Sequence, residues 1–276
     1  MNKIVIIGYS DTNKNYAYSL INKNINIDEI VFIAKKQEDM MDMNTTASFF
    51  KSNTKIKYGT YKSCKDANIL VVTGNKSIDE LSEIINGAKE NGFSGIYLVA
   101  TSNINVDCYN ILKLSHEPTN KVIGIGSLAE TAYLNHIISD RLEISVSNVN
   151  SYVLGNDKEY IIPFDVCNIG VLKLSDCFND DTLESIKKEF LENFARNAYT
   201  DASSLSYITD VLLNNRKEIL TASSYDTETG IYINLPSIID RNGVKEVINI
   251  DLNELDQNNL YSCISSLKKQ IEKQNL

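Results

Sequence analysis

The first residues able to do chemistry stand around Gly8. It closes the apolar run Lys3-Ile4-Val5-Ile6-Ile7 and precedes a polar stretch with helical character. Strand, glycine and helix in that order make the turn at which a dinucleotide fold grips pyrophosphate, with the signature G-x-G-x-x-G. The six residues here read Gly8-Tyr9-Ser10-Asp11-Thr12-Asn13. Only the first glycine stands. Ser10 takes the slot where backbone must approach phosphate closely, and Asn13 the slot for close helix–strand packing. Asp11 adds negative charge beside the pyrophosphate position. After the next apolar run the chain reads Ile33-Ala34-Lys35, so the acid that would hold a ribose hydroxyl is missing. Lys35-Lys36 reads as a solvated loop, with a grip on a 2′-phosphate as the alternative. The pattern predicts a dinucleotide-type fold with a weakened grip: no cofactor is expected, and NAD if any.

The remaining reactive side chains are scattered. Cys64, Cys108, Cys167, Cys177 and Cys263 are odd in number, widely spaced and free of any C-x-x-C pair. They read as reduced, mostly buried thiols. The two histidines, His116 and His136, sit at ligand spacing neither to each other nor to a cysteine, so no metal site is expected. His116 is expected in a surface turn, and His136, inside a helical pattern, in packing or at an interface.

The elements that must position these groups alternate in the first half. Strands are predicted at 3–7, 29–34, 69–73, 96–100 and 122–124, and helices at 15–22, 78–91, 106–114 and 130–142. Fully apolar strands separated by helices mean a parallel sheet covered on both faces. The fold class is therefore α/β, a Rossmann-like doubly wound parallel sheet over 1–125. The second half, 126–276, reads as α+β. Strands are predicted at 146–154, 166–172, 219–225, 231–239 and 244–250, the last after an Asp240-Arg241-Asn242-Gly243 turn. Helical patterns cover 183–215, with one weak joint, and 255–273. No repeat or linker separates the halves, so one rigid unit is expected.

Composition excludes several roles. The chain has 276 residues, 43% hydrophobic, and a net charge of −9 from 27 basic and 36 acidic residues. That supports a real core and argues against disorder. No basic stripe stands out, so nucleic acid and anionic membranes are not expected as partners. No apolar run approaches a membrane span, and the N-terminus lacks a signal-peptide pattern, so a soluble cytoplasmic protein is expected.

Longer stretches resemble the L-lactate/malate dehydrogenase family, its lactate branch in particular. The opening KIVIIG with Tyr16-Ala17, MDMN at 41–44, GFSGIYLVAT at 92–101, VIGIG at 122–126, Glu130-Thr131-Ala132 and LPSIIDRNGVKEV at 235–247 carry the likeness. It runs over essentially the whole chain. It implies a C-terminal domain of the lactate/malate dehydrogenase type over 126–276 and a homo-oligomer, dimer or tetramer.

The resemblance also assigns roles to positions. The family's acid/base histidine falls on Asp157, in the segment 155–159, and the acid that orients it on Glu130. The arginine that clamps the substrate carboxylate falls on Tyr133, and the substrate-holding asparagine on Ser102. Gly8, Ser10, Asn13, Ala34 and Thr73 stand at the cofactor positions. The mobile loop with a second arginine is missing, since 72–76 runs almost directly into a helix. The sugar-bisphosphate site of bacterial lactate enzymes falls on Asn135 and Asn150.

Hydride transfer to a 2-oxo acid needs an anion clamp, a proton source and a held nicotinamide. A bidentate arginine makes the clamp; Tyr133 offers one neutral bond. A histidine titrates near ~6.5 and aspartate near ~3.9, so Asp157 donates a proton only if burial near Glu130 raises it. With Glu130 and Asp157 and no arginine at either clamp position, the pocket reads as acidic. Like charges ~4 Å apart cost about 4 kcal/mol at an effective dielectric of ~20. The expectation is a catalytically degenerate pseudoenzyme with a scaffold, regulatory or ligand-sensing role. The alternatives are an active NAD-dependent L-lactate (2-hydroxyacid) dehydrogenase in which Asp157 and Glu130 share a proton, and a binding module for a neutral or cationic small molecule. Tyr133 and Tyr199 are candidates to fill the vacated substrate pocket.

Overall fold

Five apolar runs become parallel strands because nearly every side chain in them is buried on both faces. β1 (Lys3–Ile7), β4 (Ile69–Gly74), β5 (Ile96–Thr101) and β6 (Val122–Gly124) are joined by β2 (Glu29–Ile33) in a computed structural model that describes residues 2–23, 25–34 and 40–274. Helices α1 (Asp11–Asn22), α3 (Ile78–Glu90), α4 (Ile104–Ser115) and α5 (Leu128–Leu142) form the crossovers. Two elements escape the sequence pattern. α2 (Met41–Phe49) buries only Ala47, and β3 (Lys55–Tyr58) alternates exposed Lys55 and Lys57 with buried Ile56. β3 is an edge strand, where charge on the open side is normal.

The parallel order is β3-β2-β1-β4-β5-β6. The sheet then continues antiparallel into the second half through β12 (Glu218–Asp226), β13 (Ile231–Asp240), β8 (Leu154–Gly155) and β9 (Tyr160–Ile161), with β7 (Val149–Asn150) placed elsewhere and β14 (Gly243–Val247) pairing β13. The junction is one register pair, Gly124 opposite Ser223.

The expected strands 146–154 and 166–172 do not form as such. A single helical turn at Val146–Asn148 comes first. β7, β10 (Asn168–Ile169) and β11 (Leu172–Lys173) then make a small three-stranded sheet of their own. The apolar side chains that suggested strands, Val149, Val153 and Cys167, pack in a second core with Ile138, Ile186 and Phe190. The strand expected to reach residue 250 stops at Val247, after a register shift opposite Ile238 and Ile239.

After α6 (Leu174–Cys177), the long helical pattern breaks into α7 (Asp180–Asn193) and α8 (Ala198–Asn214). Asn197 supplies the reason. It is extended, accepts from the backbone N–H groups of Tyr199 and Thr200, and forms a capping box with Thr200. α9 (Glu254–Glu272) closes the chain with Cys263 and Leu267 buried. The halves are pinned by Tyr16 and Thr209, whose buried hydroxyls lie 2.6 Å apart between α1 and α8.

β4 and α3 are separated only by residues 75–77. Ser77 fixes this short link: its hydroxyl accepts from Glu80 N, and the Glu80 carboxylate accepts from Ser77 N at 2.9 Å. Ser77→Ala is expected to cost about 1 kcal/mol in a urea melt, the usual loss for an N-cap.

Candidate functional site

The C-terminal ends of β1, β4, β5 and β6 open on one edge of the parallel sheet, and Gly8, Ser10, Asn13 and Thr73, matched to a cofactor from the sequence, lie at the ends of β1 and β4. Gly8 has φ +88° and donates its N–H to Ile33 O at 2.7 Å. Ser10 caps α1, its hydroxyl accepting from Asn13 N at 3.3 Å. Asp11 is exposed and pairs with Lys14 at 3.6 Å. Asn13 turns inward and is buried. Its amide donates to Ile7 O at 3.0 Å and its carbonyl oxygen accepts from Thr73 Oγ1 at 2.8 Å. Ala34 lies half-buried just past β2. Lys35-Lys36, the alternative phosphate grip, lies outside the described residues.

The second cluster lies where α5 begins. Glu130 is fully buried in its first turn. Arg196, in the joint between α7 and α8, places Nε 3.3 Å from Glu130 Oε1 and 3.5 Å from Asp201 Oδ1, and donates to Gly126 O. Tyr160 on β9 donates to the backbone oxygen of Asp157 at 3.1 Å, and its hydroxyl lies 3.5 Å from Glu130 Oε1. Among the described residues no hydrogen bond joins Asp157 to Glu130. The Tyr160 hydroxyl touches Glu130 and the backbone, not the carboxylate, of Asp157, so it does not link the two carboxyl groups.

Burial lifts the proton affinity of all these acids. Glu130 and Asp201 are raised above the ordinary carboxylate range by desolvation, against the pull of Arg196. Asp157 is raised by desolvation, opposed first by Lys158 and also by Arg196. Asp107 on α4 is buried and pushed up to about 6 by the same cause. Tyr160 is pushed up to about 12 by burial, reinforced by Glu130, and so stays protonated at neutral pH.

The structure adds a cation that the sequence reading of an acidic pocket did not include. A guanidinium lies against Glu130 and offsets the repulsion anticipated there. Arg196, one of four arginines in the chain, was missed because it stands far from the positions that carry the resemblance. The available signal was the weak helical joint itself. Breaking the helix with Asn197 turns the preceding Arg196 off the helix face and toward Glu130.

The other matched positions take different places. Ser102 is exposed, and its backbone N–H donates to Gly74 O at 3.3 Å. Tyr133 lies among aromatics, its ring 6.0 Å from Phe190 and 5.6 Å from Phe194, so it packs instead of standing free as a hydrogen-bond donor. Tyr199 is 73% exposed and lines the cavity beside α5. Phe190 and Phe194 stack at 5.6 Å beside Tyr133, with Tyr160 edge-on to Phe190. His116 occupies the left-handed position that ends α4, and His136 is exposed beside Asp140, which sets aside packing within the chain and agrees with the interface alternative.

On the opposite side of the first turn of α5 lies a cavity of about 890 Å³. Thr131, Tyr133, Asn135 and Asn150 line it, and its one charged lining residue among those described is Lys23. Asn135 is held by Ser151, whose N–H and hydroxyl both donate to it. The two positions matched to a sugar-bisphosphate site are therefore both neutral, in a cavity whose one charged lining residue among those described is Lys23. Among the described residues no group of three or more His, Cys, Asp or Glu side chains is arranged to hold a metal, and no helix is long and apolar enough to cross a membrane.

Comparison with known proteins covers both halves. Residues 131–275 match the family described as lactate/malate dehydrogenase, alpha/beta C-terminal domain. An L-lactate dehydrogenase of Bacillus pumilus is 30% identical, over 98% of this chain and 96% of its own. One from a Geobacillus species is 29% identical, over 97% and 95%. The crystal structure of a lactate dehydrogenase enzyme from a Medee basin deep-sea metagenome library superposes with a TM-score of 0.92. It is 25% identical and covers 100% of this chain and 99% of its own.

Proposed function

The chain belongs to the lactate/malate dehydrogenase family, and on that premise we propose that its pocket binds a small molecule without hydride exchange, in a regulatory, ligand-sensing or scaffold role. One observation carries the reading: the guanidinium that reaches the pocket, Arg196, is already engaged by Glu130 and Asp201. Two carboxylates against one guanidinium leave no spare positive charge there for a 2-oxo acid, and an incoming carboxylate meets net negative charge. The three-residue link between β4 and α3 leaves no length for a lid to exclude water. The cavity beside α5, lined mostly by neutral side chains with Lys23 its one charged lining residue among those described, supports a largely neutral ligand.

The test is a turnover screen of the full chain with NADH against pyruvate, oxaloacetate and longer 2-oxo acids, and with NAD against their hydroxy acids. The expected result is no rate above background. Turnover of any of these overturns the proposal.

A second reading, an active NAD-dependent 2-hydroxyacid dehydrogenase, is favoured by the names of the relatives and by the raised proton affinity of Asp157. It makes a different prediction. Reduction needs protonated Asp157, so the rate falls as pH rises through the raised value, and Asp157→Asn abolishes both rate and pH limb.

We further infer that the chain divides near residue 125 into a dinucleotide-type domain and a C-terminal domain, and that it works in the cytoplasm as a homo-oligomer. The family assignment supports these readings.

A further inference from the structure

The strand order reverses between β1 and β4, with β2 and β3 on one side and β5 and β6 on the other. In an open parallel sheet the ligand crevice lies at that reversal, beyond the carboxyl ends of the two strands. Here one side chain stitches it together. Asn13 donates to Ile7 O at the end of β1 and accepts from Thr73 near the end of β4. It is 1% exposed, and a Cβ built on Gly8 would meet its amide nitrogen at 3.5 Å. The first glycine makes the tight turn, and the second slot, held here by Ser10, is where a pyrophosphate comes close to backbone. The unpaired N–H groups of the helix start, the other source of phosphate affinity, are also partly engaged. Ser10 accepts from one of them, and Asp11 sets a carboxylate in the first turn.

We propose that Asn13 is a latch that closes the dinucleotide crevice, so that the residues at this turn do not fit a nicotinamide dinucleotide. The proposal rests on the family assignment and deepens the reading of a pocket without hydride exchange, yet it can fail separately from it. The amide ties the ends of the two strands across the reversal, while Ser10 puts a side chain at the slot where a diphosphate needs bare backbone. Opening the crevice requires breaking both of its hydrogen bonds.

The experiment titrates the full chain with NADH, read by nicotinamide fluorescence and calorimetry, for the wild type, Asn13→Gly and Thr73→Val. Circular dichroism and a thermal melt confirm folding. The wild type is expected to show no saturation in the micromolar range. Asn13→Gly is expected to raise NADH affinity by roughly tenfold or more. Thr73→Val removes the donor to Asn13 while leaving α1 untouched, and is expected to shift affinity in the same direction by less, which keeps the test decisive if Asn13→Gly does not fold. Saturable micromolar binding by the wild type overturns the latch, as does the absence of any gain in the folded variants. A wild type that binds NADH tightly and reduces no oxo acid removes the latch and leaves the proposed function standing. A wild type that turns over removes both.

Discussion

Replacing Arg196 with Met is expected to destabilise the protein by about 3–5 kcal/mol at neutral pH, the usual cost of stripping one partner from a buried ion pair. Glu130 has no exposed surface, and its second oxygen has no hydrogen-bond donor even with Arg196 in place. Without the guanidinium, Glu130 must stay ionised in a dry site or hold a proton. The double variant Arg196→Met with Glu130→Gln is expected to recover a large part of the loss, since the orphaned charge leaves with its partner. Urea melts of the four proteins close the cycle.

The pH dependence follows from the direction of the shift. Folding raises Glu130 above its ordinary value of 4.5, so the folded state binds the proton more tightly than the unfolded chain. Its contribution to stability is fully present below 4.5 and is lost as pH rises through the raised value. Arg196 pulls that value down, so removing Arg196 extends the loss to higher pH. The variant is therefore expected to melt closest to wild type in acid and furthest from it above neutrality. A pH-independent difference overturns the assignment of Arg196 as the counter-ion of Glu130.

The second large effect is expected at Gly126, where the chain passes from β6 into α5. Its φ is +57°, and an added Cβ would lie 2.3 Å from Thr221 O and 2.5 Å from Ala222 C. Both atoms belong to the backbone of β12, so nothing can swing aside. Gly126→Ala must separate β6 from β12 at the single register pair that joins the two halves of the sheet. Overpacking against backbone together with left-handed strain is expected to cost about 3–5 kcal/mol in a urea melt. Gly92→Ala is the control. It has φ +79° and nothing within 4 Å of an added Cβ, so it carries the strain without the clash and is expected to lose about 1 kcal/mol. Equal losses at the two positions overturn the packing argument.

How legible these features were depends on whether their cause is local. The parallel strands follow from unbroken apolar runs, because a strand buried on both faces has no polar side to hide. The expected strand at 122–124 matches β6 residue for residue. Edge strand β3, half solvent-facing, leaves no such run and went unread. The ladders at 146–173 went wrong for the opposite reason. Their apolar residues serve a core between α5 and α7, and apolarity alone does not tell a strand from a packed loop.

By itself the sequence determined which side chains stand at the positions the resemblance marks: Asp157, Glu130, Tyr133 and Ser102 for a substrate, and Gly8, Ser10 and Asn13 for a cofactor. Residue identity at a position is a one-dimensional fact. Only the tertiary structure decided the charge of the pocket, because Arg196 lies 66 residues beyond Glu130 and reaches it through a break between two helices. It likewise decided that Asn13 faces inward to Ile7 and Thr73. A side chain's partners depend on which strand ends the sheet order brings together, and Thr73 is 60 residues away in the chain.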